Sequence, residues 1–200
     1  MAKYFLFTWK NADGPGVSAF PRQDIGSGQD LIPTLISAAH LPFDLELVKL
    51  TPRRNSLDES HDLSNLLDIW PDYMPNIFAW PFCSAKLRAV IERQLLHDEN
   101  LHWISAQISG GGEIREYYVI RFDTMHDVLD DEKTTYVPNT KHIIRPWFSM
   151  AKINDLSIFS LPSDFDLWRI TSSLYVRNSL KLDIEKAGVT GVTFESVRIS

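Results

Sequence analysis

The chain has 200 residues, a net charge of −6 and a sequence pI near 5.5, long enough to bury a core in one globular domain, or in two intimate lobes divided near residue 76. Residues 51–150 hold ten Lys/Arg against fifteen Asp/Glu, so the basic footprint that releases counterions from phosphates is missing and nucleic acid is not the expected partner. Cys83 is the lone cysteine, which rules out an intramolecular disulfide; with no run near the roughly twenty apolar residues of a membrane span, and an N-terminal MAKYFLFTWK too short for a signal sequence, the chain reads as cytoplasmic.

Lys3 to Lys10 reads as a first strand, rich in Tyr, Phe and Thr, and NADGPG (residues 11–16) as a turn. Val17 to Gln29 is expected to be loop or irregular strand, because Pro21, Gly26 and Gly28 interrupt it. Leu31 to Leu41 has helical character around Pro33. Phe43 to Leu50 alternates as a half-buried strand does, with Phe43, Leu45 and Leu47 on one side. TPRRNSLDESHD (51–62) is polar and predicts a linker or exposed loop. DIWPDYMPNIFAW (68–80) mixes prolines with aromatics, which predicts an ordered segment packed by its rings, since Pro71, Pro75 and Pro81 forbid a continuous helix.

Ser84 is a good N-cap for a helix reaching about Leu96, with Leu87, Val90, Ile91 and Leu95 at helical spacing. Leu101–Ser109 and Glu113–Phe122 flank a glycine turn and read as a hairpin. Met125, Val128 and Leu129 would share one side of a helical turn. Thr134–Val137 predicts a short strand, His142–Phe148 an extended run, Lys152–Phe159 irregular or extended chain, and Trp168–Ser172 a further extended run. A helix over Asn178–Ala187 follows, stopped by Gly188 and leading through Gly191 into a last strand, Val192–Val197. The fold class is α+β, with a mixed or mainly antiparallel sheet and a few helices.

FCSAKLRAVIE (82–92) aligns without a gap on YVRNSLKLDIE (175–185). Leu87 meets Leu180, Ile91 meets Ile184, Glu92 meets Glu185 and Arg88 meets Lys181. Either any two amphipathic helices behind an aromatic look alike, or the fold holds two related strand–helix–strand units. In the second case Cys83 is a buried strand-end residue equivalent to Val176, and no nucleophile.

No catalytic motif stands out. His97 and His102 are five apart, about 140° around a helix, which does not suit a metal site. Gly110-Gly111-Gly112 lacks the GK[ST] of a phosphate loop. Asp127, Asp130, Asp131 and Glu132 form the densest acidic cluster, with no EF-hand pattern; it reads as a solvated turn or as a docking patch for a basic partner. Trp147, in the Arg145-Pro146-Trp147 stretch, reads as a core residue or as a surface anchor. No cofactor and no metal are expected.

Three segments, YYVIRFDTMHDVLDDEKTTY (117–136), RPWFSMAKINDLSIFSL (145–161) and LYVRNSLKLDIEKAGVTGVTFESV (174–197), resemble in order and spacing a family of immunity proteins from bacterial polymorphic toxin systems. The matching residues are Tyr117, Tyr118, Asp127, Leu129, Asp130, Ile158, Phe159, Leu161, Leu180, Ala187, Gly188, Gly191 and Phe194. The resemblance covers roughly 77–200. Where that family has a Ser before the last helix this chain has Arg177, leaving the cap to Asn178. The resemblance implies a non-enzymatic protein that binds a cognate protein toxin and blocks it, with no catalytic residues to carry over; separately, the acidic middle of the chain suits a basic partner. Candidate partner-binding residues are Asp127, Asp130, Asp131, Glu132 and Trp147. The alternatives are a small enzyme whose site is assembled in space around His126 or His142, and a structural module of a secretion or phage-derived locus.

Overall fold

The computed structural model describes residues 3–10, 15–53, 56–96, 99–171 and 173–200. The first part of the NADGPG turn, residues 54–55 of the polar stretch, His97, Asp98 and Ser172 lie outside the described residues. In chain order the elements are β1 (Tyr4–Trp9), β2 (Gly16–Pro21), α1 (Gly28–Leu35), β3 (Leu45–Pro52), β4 (Leu57–Ser60), β5 (Tyr73–Met74), β6 (Phe82–Cys83), α2 (Ala85–Glu92), β7 (Leu101–Gly110) and β8 (Glu113–Phe122). There follow β9 (Thr135–Tyr136), β10 (Ile143–Arg145), α3 (Met150–Ile153), β11 (Ile158–Ser160), β12 (Leu174–Arg177), α4 (Asn178–Lys186) and β13 (Val192–Ser196). The class is α+β and the pairing is mainly antiparallel; β3 beside β7 is a parallel pair.

One sheet has the order β2-β3-β7-β8-β6-β5, with β4 added to the far end of β3. It curls until its edges meet. Ala19 of β2 bridges Asn76, just past β5, through Ala19 N–H to Pro75 O at 2.8 Å. Inside the curl lie Val17, Ala19, Leu45, Leu47, Met74, Phe82, Ile104, Ala106, Ile108, Tyr117 and Val119. These are alternate residues of each strand, as a sheet closed around one core requires. The second sheet, β11-β12-β1-β13, sets the first strand of the chain between strands from its end. Neither sheet is confined to one side of residue 76.

The echo between the two helices is a structural repeat. In β5-β6-β8-β7, Phe82 stands opposite Val119, Met74 opposite Phe82, and Trp103 opposite Ile120. In β11-β12-β1-β13, Tyr175 stands opposite Leu6, Phe159 opposite Tyr175, and Phe194 opposite Phe7. Aligning Phe82 with Tyr175 therefore aligns β8 with β1, so the second unit is the first with its last strand drawn from the start of the chain. The details agree. Arg88 lies over Tyr118 and Trp103, at 4.4 and 5.5 Å from the ring centroids; Lys181 lies over Phe5 and Phe194 at 5.2 and 5.4 Å. Each cation also pairs with the carboxylate four residues on, Glu92 or Glu185. The Tyr117 hydroxyl donates to Pro71 O, two residues before β5 opens, and the Tyr4 hydroxyl donates to Leu156 O, two residues before β11 opens. Removing either hydroxyl should cost about 1 kcal/mol, more for Tyr4→Phe because its one proton is shared between the Leu156 and Ile153 carbonyls and its loss strips both; urea unfolding of the two variants measures it.

The units meet through their helices. Leu87, Val90 and Ile91 of α2 and Leu180 and Ile184 of α4 share one core with Phe7, Tyr73, Cys83, Ile120, Ile158 and Val176. Cys83 is fully buried at its strand end, as is Val176. The loop behind each helix holds the first strand of the other unit. Thr190 N–H donates to Asp72, ahead of β5, and Ser157 N–H, ahead of β11, donates to Glu99 at 2.8 Å. A third core, around Tyr4, Val128, Phe148, Ile153, Phe159 and Tyr175, covers the outer face of the second sheet.

Several elements depart from expectation. Residues 17–21 form a regular strand, and α1 starts at Gly28 because Ser27 caps it, accepting from Asp30 N–H at 3.3 Å. Pro33 is tolerated on the exposed side while Ile32 and Leu35 are buried. The polar 51–62 stretch is no simple linker: β4 returns against β3, Thr51 opposite Asp58, because a ladder at a sheet edge is held by backbone bonds and needs no apolar side chains. The turn of helix expected over Met125–Leu129 is absent. Ser149 N–H donates to Val128 O, and Asp130 N–H to Trp147 O, so this backbone is committed to another segment. Trp168–Thr171 is turn rather than strand, and the one-turn α3 precedes β11 where extended or irregular chain was expected. α2 stops at Glu92, short of Leu96, whose N–H is taken by the buried Glu99 carboxylate at 2.9 Å.

Ser84 caps α2 as predicted, accepting from Leu87 N–H at 3.2 Å. Arg177 stands at the N-cap of α4 without a side-chain cap bond, and the Asn178 N–H donates instead to Lys3 O at 2.8 Å. Gly188 takes the left-handed stop, with φ +61°. Gly191 leaves no room for a side chain, since a Cβ there would stand 2.6 Å from Tyr73 O.

Candidate functional site

The acidic segment sits on the cover of the outer core, and its charges are largely committed within the protein. Lys152, from α3, reaches Asp127 at 2.8 Å, Asp131 at 3.5 Å and Leu129 O at 2.8 Å. These contacts, with Asp127 first among them, raise the Lys152 pKa above the ordinary lysine value. Asp130 is mostly covered. It accepts the N–H groups of Glu132 and Lys133 and faces the Lys133 ammonium at 3.6 Å. A Ser200 hydrogen bond, then these neighbours, holds its carboxyl below the usual range. Glu132 is exposed and has no ion pair among the described residues. Trp147 is half-buried between the Lys133 and Arg198 cations, 5.8 and 5.6 Å from its ring centroid, and its backbone is tied to the Thr134 hydroxyl. In these positions Asp130 and Trp147 brace the segment, while Asp127, Asp131 and Glu132 face solvent.

Beside this segment lies an open cleft of about 440 Å³. Leu129, Tyr136, Ile143 and Pro162 supply apolar surface, and Met125, Asp131, Lys141 and Asp164 are also in its lining. The Tyr136 hydroxyl donates to Asp131 at 3.2 Å. Burial, and then that bond, raise the tyrosine pKa, so the hydroxyl stays protonated. Asp164 opens a tight turn, closed by Leu167 N–H to Asp164 O at 3.4 Å, whose middle residues Phe165 and Asp166 both have φ +60°. Left-handed backbone suits Gly, Asn and Asp and is strained for an aromatic residue. Even so, Phe165 is 77% exposed and Met125 51%. Neither residue carries a motif, and the one sequence signal at Phe165 is an aromatic set alone in the turn-forming stretch PSDFD (162–166). Phe165→Gly should raise stability by about 1 kcal/mol by relieving the strained φ without losing a buried contact; thermal unfolding of the variant tests this.

The residues considered for catalysis are placed as follows. Burial pushes the Cys83 thiol well above its ordinary pKa, with the nearby Asp72 charge adding to it, so the thiol is neutral and enclosed. The His126 ring packs edge-on against Phe122, and His142 is exposed ahead of β10. A serine–histidine contact that sequence spacing cannot reveal joins His40 Nδ1 and Ser105 Oγ at 2.5 Å. Its residues are bridged through their backbones, with Ser105 in mid-strand opposite Tyr118. Among the described residues no group of three or more His, Cys, Asp or Glu is placed to hold a metal ion. Among the described residues no helix is long and apolar enough to cross a membrane. No family model matches the chain, and no curated protein matches it.

Proposed function

We propose that this chain is a non-enzymatic immunity-type protein that binds a cognate protein toxin and neutralises it. The observation that carries the reading is an open cleft lined by carboxylates and by the exposed Met125, with the exposed Phe165 in the turn that the cleft residue Asp164 opens. Single exposed apolar residues are ordinary, whereas a cluster of them beside polar groups is the composition of an interaction site. The resemblance of residues 117–136, 145–161 and 174–197 to toxin-system immunity proteins supports the choice of partner. The acidic surface suits a basic partner, with its charge speeding encounter more than strengthening the complex. Co-expression with the toxin encoded beside the gene tests the proposal. The expected result is a co-purifying complex and restored growth; a toxin that stays lethal and leaves this chain unbound overturns it.

A further inference from the structure

The internal repeat shows what each unit needs for folding, and so which parts of the second unit are extra. In the first unit, β5 and β6 are joined by 75–81, a connection locked in place. The Asn76 side chain accepts from Phe78 and Trp80 N–H and donates to Trp80 O, while the Phe78 ring stacks on Trp80 at 4.6 Å. In the second unit the equivalent connection between β11 and β12, residues 161–173, is nearly twice as long. It buries Trp168 but turns its other aromatic residue, Phe165, out into solvent on a strained turn. The β9–β10 pair forms a sheet of its own, joined to neither repeat sheet. The cleft lies between these two additions, lined by Tyr136 and Ile143 on one side and by Pro162 and Asp164 on the other. Surface connections elaborated on a repeated scaffold are where binding residues concentrate.

We infer that this cleft takes a long cationic side chain, arginine or lysine, from a segment of the protein partner, with Phe165 covering the apolar residue next to it. This rests on the binding function proposed above and names its surface. Asp131 and Asp164 put carboxylates into the lining; Asp131 is shared with Lys152 at 3.5 Å, while Asp164 has no ion pair among the described residues and carries most of the attraction. Lys141 is the one cation among the residues lining the cleft. Leu129, Ile143 and Pro162 line the same cleft, apolar surface suited to the methylene stem of such a side chain. An acidic side chain would meet the same two carboxylates and be repelled.

The test uses the full chain and a peptide probe, Gly-Leu-Arg-Leu-Gly, with the same peptide carrying Glu in place of Arg as its control. Amide resonances of residues 125–143 and 162–166 should shift with the Arg peptide and not with the Glu peptide, and the shifts should fade as salt is raised. Phe165→Gly should weaken binding about tenfold, as loss of an aromatic anchor does, with no fall in thermal midpoint. Asp164→Asn should weaken it about threefold, the scale of an exposed charge pair. Leu67→Ser, at a fully exposed apolar residue of the first unit, should change nothing. No shift with the Arg peptide, equal shifts with the Glu peptide, or binding indifferent to Phe165→Gly overturns the inference. The toxin separates this inference from the reading it rests on. A toxin neutralised equally by wild type and Phe165→Gly leaves the immunity function standing and removes the cleft from it. A toxin that never binds, beside a peptide that does, removes the function and keeps the site.

Discussion

Phe7→Ala should destabilise the protein by about 4 kcal/mol, within the range for a fully buried phenylalanine. Phe7 is completely buried in β1, edge-on to Tyr73 at 4.7 Å and 5.7 Å from Phe194. Tyr73 belongs to the first unit and Phe194 to the second, so this one ring fills the seam between them. Truncation leaves a cavity that the surrounding side chains, held by two sheets, cannot collapse into. The strand itself stays paired, because its backbone bonds to β12 and β13 do not involve the ring. Urea unfolding should show a lower midpoint with an unchanged slope. A loss below about 1 kcal/mol would mean that the seam repacks freely and that the shared core does not bind the units together.

Asp72→Ala should cost about 3 kcal/mol, the lower end of the range for breaking a buried charge pair, because the Lys86 side chain is 45% exposed and the Asp72 side chain only 12%. The Asp72 carboxylate accepts from the Ser84 hydroxyl at 2.6 Å, the Lys86 ammonium at 2.9 Å and the Thr190 N–H at 2.9 Å. It thereby joins the cap of α2 to the loop behind α4. Burial alone would raise its pKa; the bonds from Ser84, Lys86 and Thr190 outweigh that and hold it below the usual carboxylate range. A depressed folded-state pKa gives stability that is complete above the unfolded value, about 3.9, and that is lost as the pH falls through the folded-state value. Wild type and Asp72→Asn should therefore differ most near neutrality and converge as the pH drops below about 4. A difference independent of pH would sink the electrostatic part of the account.

The strands β1, β3, β7 and β8 and the capped helix α2 were legible because their signals are local. A hydroxyl at Ser84 meets an N–H three residues away, and a strand buried on one face repeats every two residues. The segments whose structure departs from their local pattern make their bonds elsewhere. Met125, Val128 and Leu129 have helix-like spacing, but the backbone of Val128 and Asp130 bonds to Ser149 and Trp147, and β4 is a strand only because the edge of β3 is there to receive it. The candidate site divides in the same way. Asp127, Asp131 and Glu132 could be found as a run of carboxylates. That Lys152 is shared between two of them, and that Asp130 and Trp147 brace the segment, depends on neighbours far along the chain. Met125 and Phe165 are ordinary apolar residues until burial shows that they are left outside.

By itself the sequence determined the class of fold, ruled out an intramolecular disulfide, and raised the kinship of the two helices as one of two readings, since composition, short-range hydrogen bonding and side-chain periodicity are properties of neighbouring residues. It could not show how far that kinship extends. The strand equivalent to β8 is β1, at the opposite end of the chain and on the other side of every other element, so no gapless alignment pairs them. Only the tertiary structure decided that β1 closes the second unit, because a strand's place in a sheet is set by whichever backbone edge and apolar face remain unfilled, and chain order does not enter that choice.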